Sequence, residues 1–367
     1  MRQLAAAALL AVTTAAAQME PDRIDWARTD FSRHTVDLAE IKSGGPPKDG
    51  IPAIDKPRFV SARGASEWLK AKEPVIVLRL DGSARAYPLQ ILIYHEIVND
   101  TLAGVPVAVT FCPLCNASMV FDRRVGGATL DFGTTGKLRY SDLVMYDRQT
   151  ESWWQQFIGK GIVGRYAGTE LKRLPSEIVA FEDFAAAHPQ GEVLSRETGF
   201  HRPYGRNPYA GYDRIDQSPF LYTGKRDPRL PPMERVLSVS IGGKHRLYPL
   251  SAFTRQLVAN HELAGVPYVV IAKPGMASPL DRSRIDEGRD IVAATAFDRR
   301  LDGEVLEFGE RGGHIVDART GSEWNVLGEA LSGPHKGKRL APLESGVHFA
   351  FAWLAFNPDS EIVRKLP

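Results

Sequence analysis

The chain has 367 residues, 43% of them hydrophobic and 25% charged, a usage that excludes a disordered chain, a collagen-like fibre and a disulfide-dense mini-protein. Lysine and arginine total 46 against 44 aspartates and glutamates, a net charge of +2, with no basic surplus to drive nucleic-acid binding. At roughly 150 residues per domain the length predicts at least two packed units.

In chain order, Arg2, an apolar run over 4–12 and Ala15-Ala16-Ala17 have the pattern of a signal peptide cleaved near Ala17, which implies a periplasmic or secreted protein. The run is too short to cross a bilayer, and no later stretch is long enough without charges, so no transmembrane segment is expected. Residues 18–59 form an N-terminal extension. Residues 75–80 read as a compact apolar strand turning at Asp81-Gly82. The spacing of Leu89, Leu92 and Ile93 predicts a helix over 89–99. A second apolar strand follows over 105–111, and hairpins are expected around Gly126-Gly127 and over 143–157.

Much of this pattern then returns. Gly82 to Leu89 reads GSARAYPL, and Gly243 to Leu250 reads GKHRLYPL. Leu102-Ala103-Gly104-Val105-Pro106 recurs as Leu263-Ala264-Gly265-Val266-Pro267. After an insertion near 281–292, Phe121-Asp122-Arg123-Arg124 recurs as Phe297-Asp298-Arg299-Arg300. Asp147, Thr150, Ser152 and Trp154 align with Asp317, Thr320, Ser322 and Trp324. An ordered series of this kind predicts an internal duplication. The expected fold is α+β and β-rich, with a first repeat over 60–198 and a second over 236–367. Each repeat is expected to be mainly antiparallel sheet with one or two short helices. Between them, 199–235 holds six prolines and four tyrosines without strand or helix period. A linker so rich in tyrosine is expected to pack across both repeats.

The only two cysteines, Cys112 and Cys115, follow the second apolar strand. Thiols at this spacing in an oxidising compartment form a disulfide or hold a metal. The second repeat acts as an internal control. Cys112, Cys115, His95 and Glu96 become Lys273, Met276, Gln256 and Leu257, while Tyr87, Pro88, Asn99 and Pro106 keep their identities. Reactive residues disappear together and scaffold residues persist, so the four are read as one catalytic group. Tyr146, Arg148 and Trp153 also change and are candidate substrate-binding residues. Met119 is a candidate thioether ligand.

Tyr87-Pro88, His95-Glu96-Ile97-Val98-Asn99-Asp100, Phe111-Cys112-Pro113-Leu114-Cys115 and Met145-Tyr146-Asp147-Arg148 resemble a bacterial and archaeal family catalogued only as a domain of unknown function. The resemblance extends to Tyr204-Gly205-Arg206-Asn207-Pro208-Tyr209 and implies an extracytoplasmic location without an established reaction.

Three functional readings follow. In the first, a thiol-disulfide oxidoreductase, one thiolate attacks the disulfide of a protein partner, the other resolves the mixed disulfide, and His95 or Glu96 moves the proton. In the second, Cys112, Cys115, His95 and Met119 hold a soft ion such as Cu(I). In the third, the cysteines are an inert local staple in a structural or partner-binding protein.

Overall fold

A computed structural model describes residues 25–366; the leader lies outside them. The described chain is β-rich, 43% strand and 9% helix with four short helices, and its sheets are almost wholly antiparallel. Among the described strands, Glu192–Leu194 against Ser83–Pro88 and Glu361–Ile362 against Lys244–Pro249 pair in parallel, and an isolated parallel bridge joins Ile54 to Val98. Among the described residues no helix is long and apolar enough to cross a membrane.

The first sheet elements follow from apolar, β-branched runs. Pro74–Leu80 pairs with Ser83–Pro88 across the Asp81-Gly82 turn, where both residues have positive φ. Ile97–Leu102, Val105–Cys112 and Ala117–Asp122 form consecutive antiparallel neighbours. A further sheet contains Phe132–Arg139, Asp142–Asp147 and Trp153–Gln155. At Gly126-Gly127 the glycines connect the short strands Arg124–Val125 and Ala128–Thr129.

One expectation is corrected. The helix predicted over 89–99 covers only Leu89–Leu92, because Glu96 takes φ +58° and Ile97 onward pairs as strand with Thr110 and its neighbours. A left-handed residue cannot continue the helix, and β-branched Ile97 and Val98 gain more from sheet packing. His95 and Glu96 therefore lie in a turn.

Matching residues in the second half make matching contacts. Asn99 bonds both backbone groups of Phe132 through its side chain, and Asn260 does the same with Phe308. The Asp147 carboxylate accepts from Thr150 and from the Trp154 indole, as Asp317 accepts from Thr320 and Trp324. One large apolar cluster contains Val75, Tyr87 and Val109 together with Val269, Phe297 and Trp324, so the halves share core surface.

The 199–235 segment is tied to both halves. Tyr204 meets His95, Tyr212 packs edge-on against Phe349, and Arg289 donates to the buried Asp213 carboxylate at 2.9 Å.

Candidate functional site

The cysteines sit at a hairpin tip. Cys112 ends its strand, the Cys115 N–H returns to the Cys112 carbonyl at 3.3 Å, and Asn116 turns the chain with φ +49° before Ala117–Asp122 begins. Asparagine tolerates this left-handed geometry better than most residues. Both thiols are free and buried, 1% and 0% exposed, and the two cysteines approach within 3.7 Å.

A second hairpin tip meets the first. Tyr140 and Ser141 make its turn with φ +54° and +69°, a conformation that normally selects glycine or asparagine. The Ser141 carbonyl faces both sulfurs, 3.5 Å from Cys115 Sγ and 3.9 Å from Cys112 Sγ. Asp142, fully buried, stands beside them, and one ligand atom from each of Cys112, Cys115 and Asp142 lies within 4.8 Å of the others. Asp142 Oδ2 accepts from Gln155 Nε2 at 2.6 Å and from the Phe157 N–H at 3.0 Å. Its Oδ1 is buried without a partner.

The charges are arranged against ionisation. Burial raises the Asp142 carboxyl to about 7. Burial, with the neighbouring Asp142 charge second, raises Glu96 to about 8. Burial also pushes both thiols above the ordinary cysteine value, Cys115 well above it. A strand, Ala117–Asp122, follows the cysteines, so no helix dipole lowers them.

Glu96 lines a cavity of roughly 310 Å³ together with Leu114, Leu143, Tyr209 and Tyr212. The two tyrosines come from the 199–235 segment. Tyr212 donates to the Leu114 carbonyl at 3.1 Å, pinning the segment over the cysteine turn, and burial raises both phenols well above the ordinary tyrosine value. From the second half, the Phe349 N–H donates to the Cys115 carbonyl at 2.9 Å.

His95 does not join this group. Its Nδ1 is 2.7 Å from the Pro52 carbonyl and its Nε2 is 2.7 Å from the Tyr204 hydroxyl. Burial lowers it to about 4, so the neutral ring donates to Pro52 and accepts from Tyr204. Both nitrogens are spent on holding the N-terminal extension and the linker. Among the described residues, the group with ligand atoms within 4.8 Å of one another that could hold a metal ion is Cys112, Cys115 and Asp142, without His95. Met119 is buried in the same apolar cluster as the cysteines, with its carbonyl accepting from Thr110.

Tyr146, Arg148 and Trp153 are engaged elsewhere. Tyr146 donates to Asp49 at 2.5 Å and Arg148 to Asp55 at 2.6 Å, while Trp153 packs edge-on against Trp26 and Phe31. Alternation explains this: Leu143 and Met145 face the cysteine cluster, whereas Val144 and Tyr146 face the opposite side of the sheet. These three residues clasp the extension.

A family model described as "Protein of unknown function (DUF3179)" matches residues 48–360. The chain belongs to this family. No curated protein and no solved structure matches it. The DUF3179 match takes in every residue of the site: both hairpin tips, Glu96, the linker tyrosines and Phe349.

Proposed function

We propose that this DUF3179 protein binds one thiophilic metal ion through Cys112, Cys115 and Asp142. The observation that carries this reading is Asp142 Oδ1, buried with no partner next to two free, buried thiols. A buried carboxylate oxygen left unpaired is costly, and a cation is the partner that two thiolates and a carboxylate share. A bound ion deprotonates coordinating thiols outright, which removes the obstacle raised by their burial. Gln155 and Phe157 hold the other carboxylate oxygen, the outer support expected of a ligand.

Zn(II) fits this donor set better than Cu(I). Carboxylate oxygen is an ordinary zinc donor, whereas Cu(I) prefers sulfur throughout. The three deprotonated donors carry three negative charges, and a dication cancels more of them. Three protein donors leave one place in a tetrahedral shell. An exported location, implied by the leader, belongs to the same proposal.

The 3.7 Å approach of the cysteines favours a second reading, reversible disulfide formation. Joining the sulfurs releases two protons and two electrons, and a partner protein's disulfide takes up both electrons and both protons to become a dithiol. Asp142, at about 7, is placed to take one of these protons from a thiol and pass it on to the partner's sulfur. The raised thiols count against this route, since the thiolate is the nucleophile.

Anaerobic equilibrium dialysis of the reduced protein against Zn(II) and Cu(I) tests both. One tightly held Zn(II) per chain, absent from Cys112→Ser/Cys115→Ser, is the expected result. Equal uptake by the double variant overturns the metal reading. No uptake together with a disulfide reduced by a thiol partner replaces it with the second.

A further inference from the structure

We propose that the linker turn over 219–222, with Lys225 and Arg226 beside it, is a docking surface for an anionic phospholipid membrane. The surface stands apart from the metal reading, because none of these residues belongs to the group of Cys112, Cys115 and Asp142.

Six large hydrophobic side chains are exposed among the described residues, and four of them, Phe200, Ile215, Phe220 and Leu221, fall in the linker. Single exposed apolar residues are ordinary, but clustered ones mark an interaction surface. Phe220 and Leu221 are 47% and 40% exposed, and their neighbours explain why they stay outside. The Phe220 N–H donates to the Tyr212 hydroxyl at 3.1 Å. Tyr222 packs edge-on against Phe351 from the second half, and its hydroxyl donates to the Lys225 carbonyl at 2.9 Å. The turn is thus fastened on both sides, and Phe220 and Leu221 project between the fastenings. Leu221 sits at φ +50°, where glycine or asparagine would be the ordinary choice. The turn carries an apolar side chain there instead.

The surrounding charges select the partner. Between 213 and 229 the three carboxylates, Asp213, Asp216 and Asp227, each pair with arginine. Lys225 and Arg226 are exposed, and neither has an ion-pair partner among the described residues. Arg226 shares a recess with Pro219 and Tyr222, which sets the free charge against the turn. Free cations next to projecting apolar side chains match anionic headgroups lying over hydrocarbon. A protein partner would need recesses to receive its own side chains. The recess beside Arg226 holds only about 20 Å³, room for about one water molecule, and neither cation lines the larger cavity by Glu96. Knobs without holes suit a bilayer, which deforms around them, better than a shaped peptide.

The test is sedimentation of the full chain with vesicles of phosphatidylcholine alone and of equimolar phosphatidylcholine and phosphatidylglycerol. Saturable binding to the anionic vesicles is expected, weakened at about 1 M salt, where screening acts over about 3 Å. Lys225→Gln/Arg226→Gln is expected to weaken it about 25-fold, since each cation near such a surface contributes about fivefold. Phe220→Ser/Leu221→Ser is expected to abolish it while the denaturant midpoint and Zn(II) uptake stay unchanged, which separates this surface from the metal centre. In Phe220→Trp, quenching by lipids brominated in their acyl chains is expected to exceed that of the parent protein. No binding, equal binding to neutral vesicles, unchanged binding by either double variant, or no added quenching overturns the proposal. So does a soluble glutamate- and leucine-rich peptide that binds saturably where the vesicles do not.

Discussion

The two halves of the chain build the same pair of hairpins and finish their tips differently. In the first half, Val105–Cys112 and Ala117–Asp122 are joined by a four-residue turn that presents the thiols. In the second, the corresponding strand runs on as Val266–Ala277, and a longer connection leads to Asp290–Asp298. The other hairpin differs in the opposite sense. Asp147 follows Phe132 by 15 positions, whereas Asp317 follows Phe308 by nine. The extra residues of the first half include Tyr140, Ser141 and Asp142, and their place in the second is taken by a Gly312-Gly313 turn. A shortened tip and a lengthened one meet only in the first half, and the cluster of sulfur and carboxylate lies where they touch. The comparison teaches that strands and their side-chain anchors carry the fold, while hairpin lengths decide where the thiols and the Asp142 carboxyl come together.

The sharpest way to break this comparison is to equalise the hairpins. Asp142→Asn, which removes the carboxylate from the lengthened tip, is expected to weaken Zn(II) by more than the roughly 100-fold seen for outer-shell changes. Competition with a chromophoric chelator measures it, and an unchanged affinity would remove Asp142 from the centre. Gln155→Ala, which only frees the other carboxylate oxygen, is expected to cost roughly 10- to 100-fold in the same assay.

Gly136→Ala addresses the bulge that lengthens the hairpin. Gly136 has φ +71°, and a Cβ there would lie 1.9 Å from the Pro46 carbonyl. The substitution is expected to destabilise the protein by about 3 kcal/mol in denaturant melts, whereas Gly309→Ala, with open space around it, is expected to change little.

The pH dependence sharpens the comparison further. Unfolded, Asp142 and Glu96 ionise near 4; folded, they hold protons to about 7 and about 8. Between these limits the folded state binds more protons, so these groups make the metal-free protein lose stability as pH rises from about 4 to 8. Denaturation midpoints across this range check the slope, which Glu96→Gln is expected to reduce. Zn(II) affinity runs the other way and rises with pH, because the ion displaces protons. The smallest effect is expected at His95: His95→Gln should leave Zn(II) affinity within about twofold, since both ring nitrogens already have protein partners.

Much of this was legible in the chain itself. The recurrence of Tyr87-Pro88, Phe121-Asp122-Arg123-Arg124 and Asp147 with Trp154 marked residues whose contacts recur in both halves, and the loss of Cys112 and Cys115 pointed to the candidate site, where the two thiols lie buried beside Asp142. His95 differs in the second half for a different reason: its partners, Pro52 and Tyr204, lie outside the two stretches whose motifs recur, and periodicity carries no trace of such contacts. Asp142 was visible only as a difference in length. A comparison made residue by residue passes over a position with no counterpart. Tyr209 and Tyr212 reach the site through the fold of a segment without period, which local sequence pattern does not resolve. The predicted helix over 89–99 failed at one residue, because Glu96 adopts a backbone conformation that its side-chain type disfavours.

The bond from the Phe349 N–H to the Cys115 carbonyl has a consequence for folding. Its two ends are separated by 234 positions, so the cysteine loop reaches its final form only after the second half has packed against the first, and closing so long a loop costs entropy that local turns do not. A substitution that loosens the strand around Phe349 would then be felt at the thiols, far away in sequence.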